Sequence, residues 1–308
     1  MDTQNSSAPS RAGAVSALRA WAIASRPHTL TIGVNPVLVG CSLAWAETGR
    51  IDIPLMVLSM LGALLLQAGT NLDNDVSDFQ RGTDRAGRLG LPRATALGLL
   101  TTRQVRTASL GCFAVATVIG LMLARRGGWP ILIAGIASAA AAMAYSGGPR
   151  PISYTPFGEF VVFLFFGLVA VGGTYFLQTL TLSPGVLVAA TMVGLPAAAV
   201  LVVNNYRDLD PDREVGKRTL AVCLGRPFSR WEYAVLMLAP FVLLGILGLQ
   251  TRIGIALLIP LLSLPMAFGL VLRFWRETPG PAFNPLLAQT AKFQVLFSAL
   301  LCVAILLN

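Results

Sequence analysis

Long apolar runs separated by short polar segments make up almost the whole chain. Nine of these runs reach the roughly 20 residues that a helix needs to cross the hydrocarbon core of a bilayer. They lie at about 27–46, 53–72, 104–124, 128–146, 158–180, 183–205, 232–250, 252–272 and 286–307. The pattern therefore predicts an all-α integral membrane protein with nine transmembrane helices.

Composition supports a membrane protein and excludes an ordinary soluble domain. Hydrophobic residues make up 55% of the chain and charged residues 12%, whereas soluble domains carry roughly 25% charged residues. Residues 1–18 are polar, small and mildly basic, without the apolar core of a signal peptide. We therefore expect a disordered cytoplasmic tail over residues 1–18 and a single nine-helix transmembrane domain over residues 19–308.

The distribution of basic residues predicts the orientation of the chain in the membrane. The N-terminal tail and the loops after spans two, four, six and eight hold 19 of the 23 Lys and Arg residues; the opposite side holds Arg50, Arg125, Arg126 and Arg252. Because cytoplasmic loops are rich in Lys and Arg, we expect the N-terminus on the cytoplasmic side of a cell (inner) membrane and the C-terminus on the opposite side. The net charge of +9 thus indicates topology and not nucleic-acid binding.

Acidic residues are concentrated in two short segments. Eight of the 14 Asp and Glu residues form the first acidic cluster, Asp73, Asp75, Asp78 and Asp84, and the second acidic cluster, Asp208, Asp210, Asp212 and Glu214. The first cluster follows the second span and the second cluster follows the sixth span, so both are expected at the cytoplasmic face. Concentrated negative charge at a membrane boundary is costly unless a cation neutralises it.

The spacing within each cluster places oxygen atoms on one side of a helix. Residues three or four apart share a helix face, as Asn74 and Asp75 each do with Asp78, and as Asp208 does with Asp212. Two such sets facing each other across a cavity would suit Mg²⁺, which binds a few carboxylates together with substrate phosphate oxygens. The sequence therefore predicts a site for a diphosphate that bridges Mg²⁺ ions.

Basic side chains beside the clusters fit an anionic ligand. Arg81, Arg150, Arg213, Lys217 and Arg218 offer cations to phosphate oxygens. Stabilising a departing diphosphate is what ionisation of an allylic C–O bond requires, and a membrane cavity would hold a long apolar tail. The alternative is that these charges form a solvated, salt-bridged loop surface.

Several motifs resemble those of a known family. The first acidic cluster contains Asn74-Asp75-x-x-Asp78, with a further Asp at Asp84 in a Gly-Thr-Asp sequence, and the second contains Asn204-x-x-x-Asp208-x-x-x-Asp212 followed by Lys217-Arg218-Thr219-Leu220. Arg26-Pro27-His28-Thr29-Leu30 and Tyr145-Ser146-Gly147-Gly148-Pro149-Arg150 also match. At these residues the chain resembles the UbiA superfamily of intramembrane aromatic prenyltransferases. The position of Asp84 looks like the 1,4-dihydroxy-2-naphthoate polyprenyltransferase branch of menaquinone synthesis.

The resemblance implies a fold and an activity. The fold is a set of nine transmembrane helices around a central cavity that opens sideways into the lipid. The activity is Mg²⁺-dependent transfer of a prenyl group from a polyprenyl diphosphate to an aromatic acid. In the naphthoate branch the acceptor loses its carboxylate as CO₂, and the product is demethylmenaquinone.

The resemblance also implies roles for individual residues. Metal ligands would be Asn74, Asp78, Asp84, Asp208 and Asp212, and the catalytic set would be Asp75, Asp78, Asp208 and Asp212, with Asp75 in a supporting role. Diphosphate-binding residues would be Arg81, Arg213, Lys217 and Arg218, and acceptor-binding residues would be Arg26, Tyr145 and Arg150.

Other functions remain open at this point. A prenyltransferase of the same superfamily could use 4-hydroxybenzoate, homogentisate or a chlorin as acceptor, although the Gly-Thr-Asp spacing speaks against it. A transporter would also contain polar residues within its spans, but here they lie at the cytoplasmic ends. A non-catalytic quinone-binding protein would not need so many carboxylates. The sequence does not determine the oligomeric state.

Overall fold

All regular elements in the described part of the chain are helical. A computed structural model describes residues 16–82, 89–90, 93–251 and 254–307, apart from the side chain of His28. The α-helices are α1 (Ala17–Ser25), α2 (Pro27–Thr48), α3 (Ile53–Gln80), α4 (Thr102–Ser146), α5 (Gly158–Phe163), α6 (Gly173–Thr179), α7 (Pro184–Arg207), α8 (Leu209–Glu214), α9 (Leu220–Gln250), α10 (Leu264–Arg276) and α11 (Phe283–Leu306). A π-helical segment, Leu164–Gly172, joins α5 to α6, and 3₁₀ segments cover Ile152–Tyr154 and Ile255–Ser263.

Helix α4 is a hairpin of two spans. As one straight helix its 45 residues would measure about 68 Å, more than twice the hydrocarbon thickness. Gly128 breaks it with non-helical angles, φ 69° and ψ −156°. Near one end Arg106 donates to the side chain of Gln80, and at the other end the carbonyl of Ser146 accepts from Arg81. Both ends of α4 therefore lie beside the end of α3.

The described residues thus contain nine membrane spans. Eight helical stretches are long and apolar enough to cross a membrane, and one of these is the α4 hairpin. The stretch from α5 through the π-helical segment to α6 forms one continuous span, and the second 3₁₀ segment continues into α10. The prediction of an all-α membrane protein with nine spans is confirmed.

Some helices extend past the apolar runs that predicted them. Helix α3 continues through the first acidic cluster to Gln80, because helical backbone hydrogen bonds do not require apolar side chains. Helix α7 ends at Arg207, and Asp208, with φ −94° and ψ 9°, connects it to the short α8. The second acidic cluster therefore lies at a turn between two helices and not along one helix.

A short helix precedes the first span. Residues 1–15 of the predicted tail lie outside the described residues, and α1 begins at Ala17 with the hydroxyl of Ser16 accepting from the backbone N–H of Arg19 at 3.3 Å. Buried Ala24 packs against the C-terminal end of α3. This contact holds the start of the bundle beside the first acidic cluster.

Helix α7 runs through the centre of the packed core. Gly194 on α7 approaches the span that contains α5 so closely that a Cβ there would lie 2.8 Å from the carbonyl oxygen of Phe163. On its other side the buried rings of Tyr206, Tyr233 and Phe274 pack together, with ring centroids 4.2 Å apart for the last two. This dense half of the bundle supports one wall of a cavity.

Candidate active site

A cavity of about 680 Å³ runs through the less densely packed half of the bundle. It is lined by α2, α3, both halves of α4, the span from α5 to α6, and α7. Helix α3 contributes one continuous face, consisting of Ser59, Gly62, Ala63, Leu66, Gln67, Thr70, Asn71, Asn74 and Asp78. This face rises about 28 Å along the helix, so the cavity extends through most of the hydrocarbon depth.

The body and far end of the cavity are apolar. Leu123, Ile131 and Leu177 form a buried cluster at the end remote from the acidic residues. Phe166 lines the wall, and Ile136 lines it while 62% exposed. The cavity therefore reaches the outer surface along the second half of α4, and its shape suits a long apolar molecule.

Carboxylates and cations meet at the other end of the cavity, its charged end. Asp78 forms an ion pair with Arg93, and both residues line the cavity. Arg207 makes a bidentate contact with Asp208, at 2.8 Å from Nε and 2.6 Å from Nη2. Lys217 lines the same end. Each of these carboxylates is thus neutralised by a basic side chain.

Arg207 organises the second acidic cluster. Only 3% of this residue is exposed, and its guanidinium also donates to the side-chain oxygens of Asn204 and Asn284, each at 2.7 Å. Such a fork of donors holds several acceptors in one fixed arrangement. The arrangement ties the end of α7 to the start of α11.

Asp75 points away from the cavity and anchors a loop. It is fully buried and accepts from the backbone N–H groups of Ala94 at 2.9 Å and Thr95 at 3.0 Å, and from the Thr95 hydroxyl. The loop held in this way carries Arg93 to Asp78. The geometry therefore gives Asp75 a supporting position.

Tyr154 connects the two acidic clusters. Nζ of Lys217 lies 3.0 Å from Asp212 and 5.0 Å from the centre of the Tyr154 ring. The guanidinium carbon of Arg81, at the end of α3, lies 5.3 Å from the same ring centre. The carbonyl of Tyr154 also accepts from the backbone N–H of Arg218 at 3.0 Å. The ring of Tyr154 thus contacts one cation beside each acidic cluster.

Burial and charge shift the pKa values around Lys217. Burial raises the pKa of the Asp212 carboxyl, and the ammonium of Lys217 opposes this shift. Burial by itself would lower the pKa of Lys217, but the carboxylates of Asp212 and Asp78 outweigh it and the pKa is raised. Burial also raises the pKa of Tyr154. At neutral pH Lys217 therefore stays protonated and Tyr154 stays a neutral phenol.

The structure brings some of the predicted site residues to the cavity and leaves others outside it. Those that line its charged end are Arg26, Asn74, Asp78, Tyr145, Asp208 and Lys217, and Asp212 contacts this group through Lys217. Arg81 donates to the carbonyls of Ser146 and Gly148. Arg150 and Arg218 are exposed outside the lining, and Arg213 is 59% exposed, 4.0 Å from Asp210. Asp84 lies outside the described residues.

Residues at the charged end of the cavity that were not among the predicted site residues include Arg93, Arg207, Asn204 and Asn205. Arg93 and Arg207 pair with acidic residues, and Asn205 lines the wall. A signal for Arg207 was present, because it directly precedes Asp208 at the end of an apolar run. A signal for Arg93 was its place in Arg93-Ala94-Thr95, which resembles Lys217-Arg218-Thr219 after the other cluster.

The oxygen donors at the charged end of the cavity fit a hard divalent cation whose coordination a ligand completes. Among the described residues no three acidic, His or Cys side chains are close enough to enclose a metal ion by themselves. Asn74 with Asp78, and Asn204 with Asp208, supply amide and carboxylate oxygens from two separate helices. Mg²⁺ is usually held by one or two carboxylates plus phosphate oxygens and water. This donor set supplies the carboxylates and leaves the remaining coordination positions to phosphate oxygens and water.

A family model agrees with this geometry. The model described as "UbiA prenyltransferase family" matches residues 34–305. The chain belongs to the UbiA prenyltransferase family. Membership explains a cavity that combines a charged end with a long apolar body, and it confirms the resemblance seen in the two aspartate motifs.

Two curated proteins are similar to this chain over almost its whole length. The 1,4-dihydroxy-2-naphthoate octaprenyltransferase of Escherichia coli (strain K12) is 33% identical, over 96% of this chain and 97% of that protein. The protein of the same name from Mycobacterium leprae (strain TN) is 36% identical, over 90% and 93%. The chain is therefore a prenyltransferase, as predicted.

Solved structures in the family share the fold. A UbiA homolog from Archaeoglobus fulgidus bound to DMAPP and Mg²⁺ superposes with a TM-score of 0.62 at 17% identity, covering 92% of this chain and 99% of that one. The apo structure of a UbiA homolog from Aeropyrum pernix K1 gives 0.66 at 14% identity, covering 90% and 97%. The protein is thus a multi-pass membrane prenyltransferase with the UbiA fold.

Proposed function

We propose that this enzyme transfers a polyprenyl group from a polyprenyl diphosphate to 1,4-dihydroxy-2-naphthoate, with loss of CO₂, in a Mg²⁺-dependent reaction that gives demethylmenaquinol. The observation that carries the proposal is the single cavity that joins three ion-paired carboxylates to a long apolar channel. The names of the E. coli and M. leprae relatives support this acceptor, and the bound ligands of the A. fulgidus homolog support the donor class and the metal.

The donor would lie along the cavity with its diphosphate at the cytoplasmic end. Its apolar tail would follow the α3 face, where burial of each CH₂ contributes about 0.8 kcal/mol. Asn74, Asp78, Asp208 and Asp212 would hold Mg²⁺, with Asp84 from the first motif. When bound, Mg²⁺ would neutralise charge on the diphosphate. Lys217 lies where it can donate to phosphate oxygens, and Arg81 supports that position through Tyr154.

The chemistry balances without an added oxidant or base. The allylic C–O bond breaks and its electron pair leaves with the diphosphate. The ring carbon that bears the carboxylate forms the new C–C bond, and the electrons of the C–carboxylate bond return to the ring as CO₂ leaves. Cations at the charged end would stabilise the departing diphosphate. The apolar walls would exclude water from the allylic carbocation.

The acceptor would bind beside the carboxylates, between α2, α4 and α7. Arg26 and Tyr145 line this region, so Arg26 could pair with the acceptor carboxylate and Tyr145 could contact the ring. Arg150 lies exposed outside the lining, and we assign it to the mouth of the site.

The orientation in the membrane is part of the proposal. The residues around both acidic clusters would face the cytoplasm of an inner membrane, with the C-terminus on the opposite side. The asymmetric distribution of Lys and Arg supports this. Fusing a reporter to each terminus in turn tests it, because signals from the same side would contradict an odd number of spans.

An acceptor screen tests the reaction. Purified enzyme would receive Mg²⁺, a labelled polyprenyl diphosphate and, in separate reactions, 1,4-dihydroxy-2-naphthoate, 4-hydroxybenzoate and homogentisate. We expect prenylated naphthoquinol and labelled CO₂ from carboxyl-labelled naphthoate, and no product after chelation by EDTA. Turnover with another acid alone would reassign the acceptor. Naphthoate product without CO₂ release would refute the decarboxylating step.

A further inference from the structure

A buried carboxylate lies directly behind the cavity wall. Glu159, in the first turn of α5, is only 5% exposed. Its Oε1 accepts from Nδ2 of Asn205 at 2.7 Å, while Oε2 has no hydrogen-bond partner among the described residues. The close approach of α5 to α7 places it there, since a Cβ on Gly158 would lie 3.2 Å from the Leu201 side chain, one helical turn before Asn205.

Packing alone does not account for Glu159. Burying a carboxylate is costly unless a cation or several donors compensate it, and Glu159 forms no ion pair with a described residue. Glu232 on α9 lies within electrostatic range of Glu159 and supplies no compensating cation. A buried polar group that is only partly satisfied calls for a specific explanation.

The hydrogen bond to Glu159 fixes the orientation of the Asn205 amide. Nδ2 of Asn205 donates to Oε1 of Glu159, so the NH₂ side of the amide faces this carboxyl group. The carbonyl oxygen Oδ1 is therefore left on the other side of the amide. Asn205 lines the cavity, and Oδ1 has no protein partner among the described residues. The cavity wall thus presents a hydrogen-bond acceptor of defined position.

This acceptor lies at the charged end of the cavity. The phenol of Tyr145, another lining residue, interacts electrostatically with Glu159, Arg26 and Asp78. Asn205 is therefore near the groups assigned to the aromatic substrate and not along the apolar channel. Phenolic hydroxyl groups are strong donors that match an amide carbonyl.

We propose that Glu159 is a positioning residue that orients Asn205 so that its Oδ1 accepts a hydrogen bond from a ring hydroxyl of the aromatic acceptor. The proposal rests on the proposed function and deepens it by naming how a hydroxylated ring is recognised. Accepting this hydrogen bond enriches the electron density of the ring while the C–C bond forms. The hydrogen bond from Nδ2 to Glu159 polarises the Asn205 amide and strengthens Oδ1 as an acceptor.

Steady-state kinetics with acceptor analogues test the pair. The variants are Glu159→Ala, Glu159→Gln and Asn205→Ala, assayed with 1,4-dihydroxy-2-naphthoate and with analogues lacking the 1-hydroxyl or the 4-hydroxyl. We expect Glu159→Ala and Asn205→Ala to raise the acceptor KM about tenfold and to change the donor KM less than twofold. Both should lose the wild-type preference for the acceptor that retains the recognised hydroxyl, and Glu159→Gln, whose carbonyl can still accept from Asn205, should lose less.

Controls separate recognition from a merely structural role. The control is Glu47→Gln. Glu47 accepts a hydrogen bond from the buried Tyr175 at the opposite end of the bundle, so this change should leave the donor KM and the acceptor KM unchanged. Equal increases in donor and acceptor KM would overturn the proposed role of Glu159 and Asn205. An unchanged preference among the analogues in Asn205→Ala and Glu159→Gln would also overturn it, and this test does not depend on whether Glu159→Ala folds. Absence of naphthoate turnover in the wild type would instead refute the proposed function.

Discussion

The ammonium nitrogen of Lys217 lies 3.0 Å from Oδ1 of Asp212 and against the face of Tyr154. An equivalent relationship exists at the other acidic cluster, where Arg93 pairs with Asp78. Each pair joins an acidic residue near a span's end to a basic residue in the loop that follows. The two clusters are therefore matched in charge as well as in position, and a diphosphate bound between them would meet a cation from each side.

Replacing Lys217 by Met should weaken donor binding. The change removes a charge-assisted contact worth about 1.5–3 kcal/mol, so we expect the KM for polyprenyl diphosphate to rise ten- to a hundredfold. Lys292, the only other lysine in the chain, is exposed on α11, and Lys292→Met is the matched control. An unchanged donor KM in Lys217→Met would exclude a direct diphosphate contact.

Replacing Asp78 or Asp212 by Ala should abolish turnover. Both changes remove an oxygen ligand proposed for Mg²⁺, and we expect kcat to fall at least about a hundredfold with a retained gel-filtration profile in detergent. Asp210→Ala removes a carboxylate from the same cluster, but Asp210 is 64% exposed, so activity should stay within about twofold of wild type. Comparable losses in all three variants would contradict the assignment of metal ligands.

Replacing Asp75 by Asn should destabilise the loop that carries Arg93. The amide leaves one of the N–H donors of Ala94 and Thr95 facing an NH₂ group, at a cost of about 1–3 kcal/mol. We expect a lower Tm in detergent for Asp75→Asn, and a smaller decrease for Thr95→Val. Because the two residues are in contact, the double variant should lose less than the sum of the single changes. Strict additivity would indicate that the two side chains act independently.

A bulky side chain on the α3 face should shorten the accepted prenyl chain. Ala63 lines the cavity toward the apolar end of this face, and a Phe there would fill part of the channel. We expect the preference for geranyl diphosphate over longer polyprenyl diphosphates, expressed as the ratio of their kcat/KM values, to be about tenfold higher in Ala63→Phe than in wild type. Leu61→Phe places the same ring on an exposed position of α3 and should not alter the preference. An unaltered preference in Ala63→Phe would mean that the tail follows a different path.

Much of this architecture follows from the sequence alone. The number and order of the spans depend on local apolarity, and the break in α4 at Gly128 falls at the first residue of the predicted span 128–146. The spacing of Asn74 and Asp78 places them on one helix face that lines the cavity. These features are local, since they depend on residues a few positions apart and on the preference of apolar helices for lipid.

Only the tertiary structure determined which charges meet. The expectation that Asp75 shares a face with Asp78 was wrong: Asp75 anchors a loop and Asp78 lines the cavity, because side chains three residues apart still differ by about 60° around the helix axis. Arg93 reaches Asp78 across a loop, and Glu159 reaches Asn205 from a different span. Contacts of this kind depend on how helices pack against each other, which the apolarity of each helix does not specify. The two aspartate motifs therefore indicate the chemistry, and the packing of α3, α5 and α7 determines the site in which it occurs.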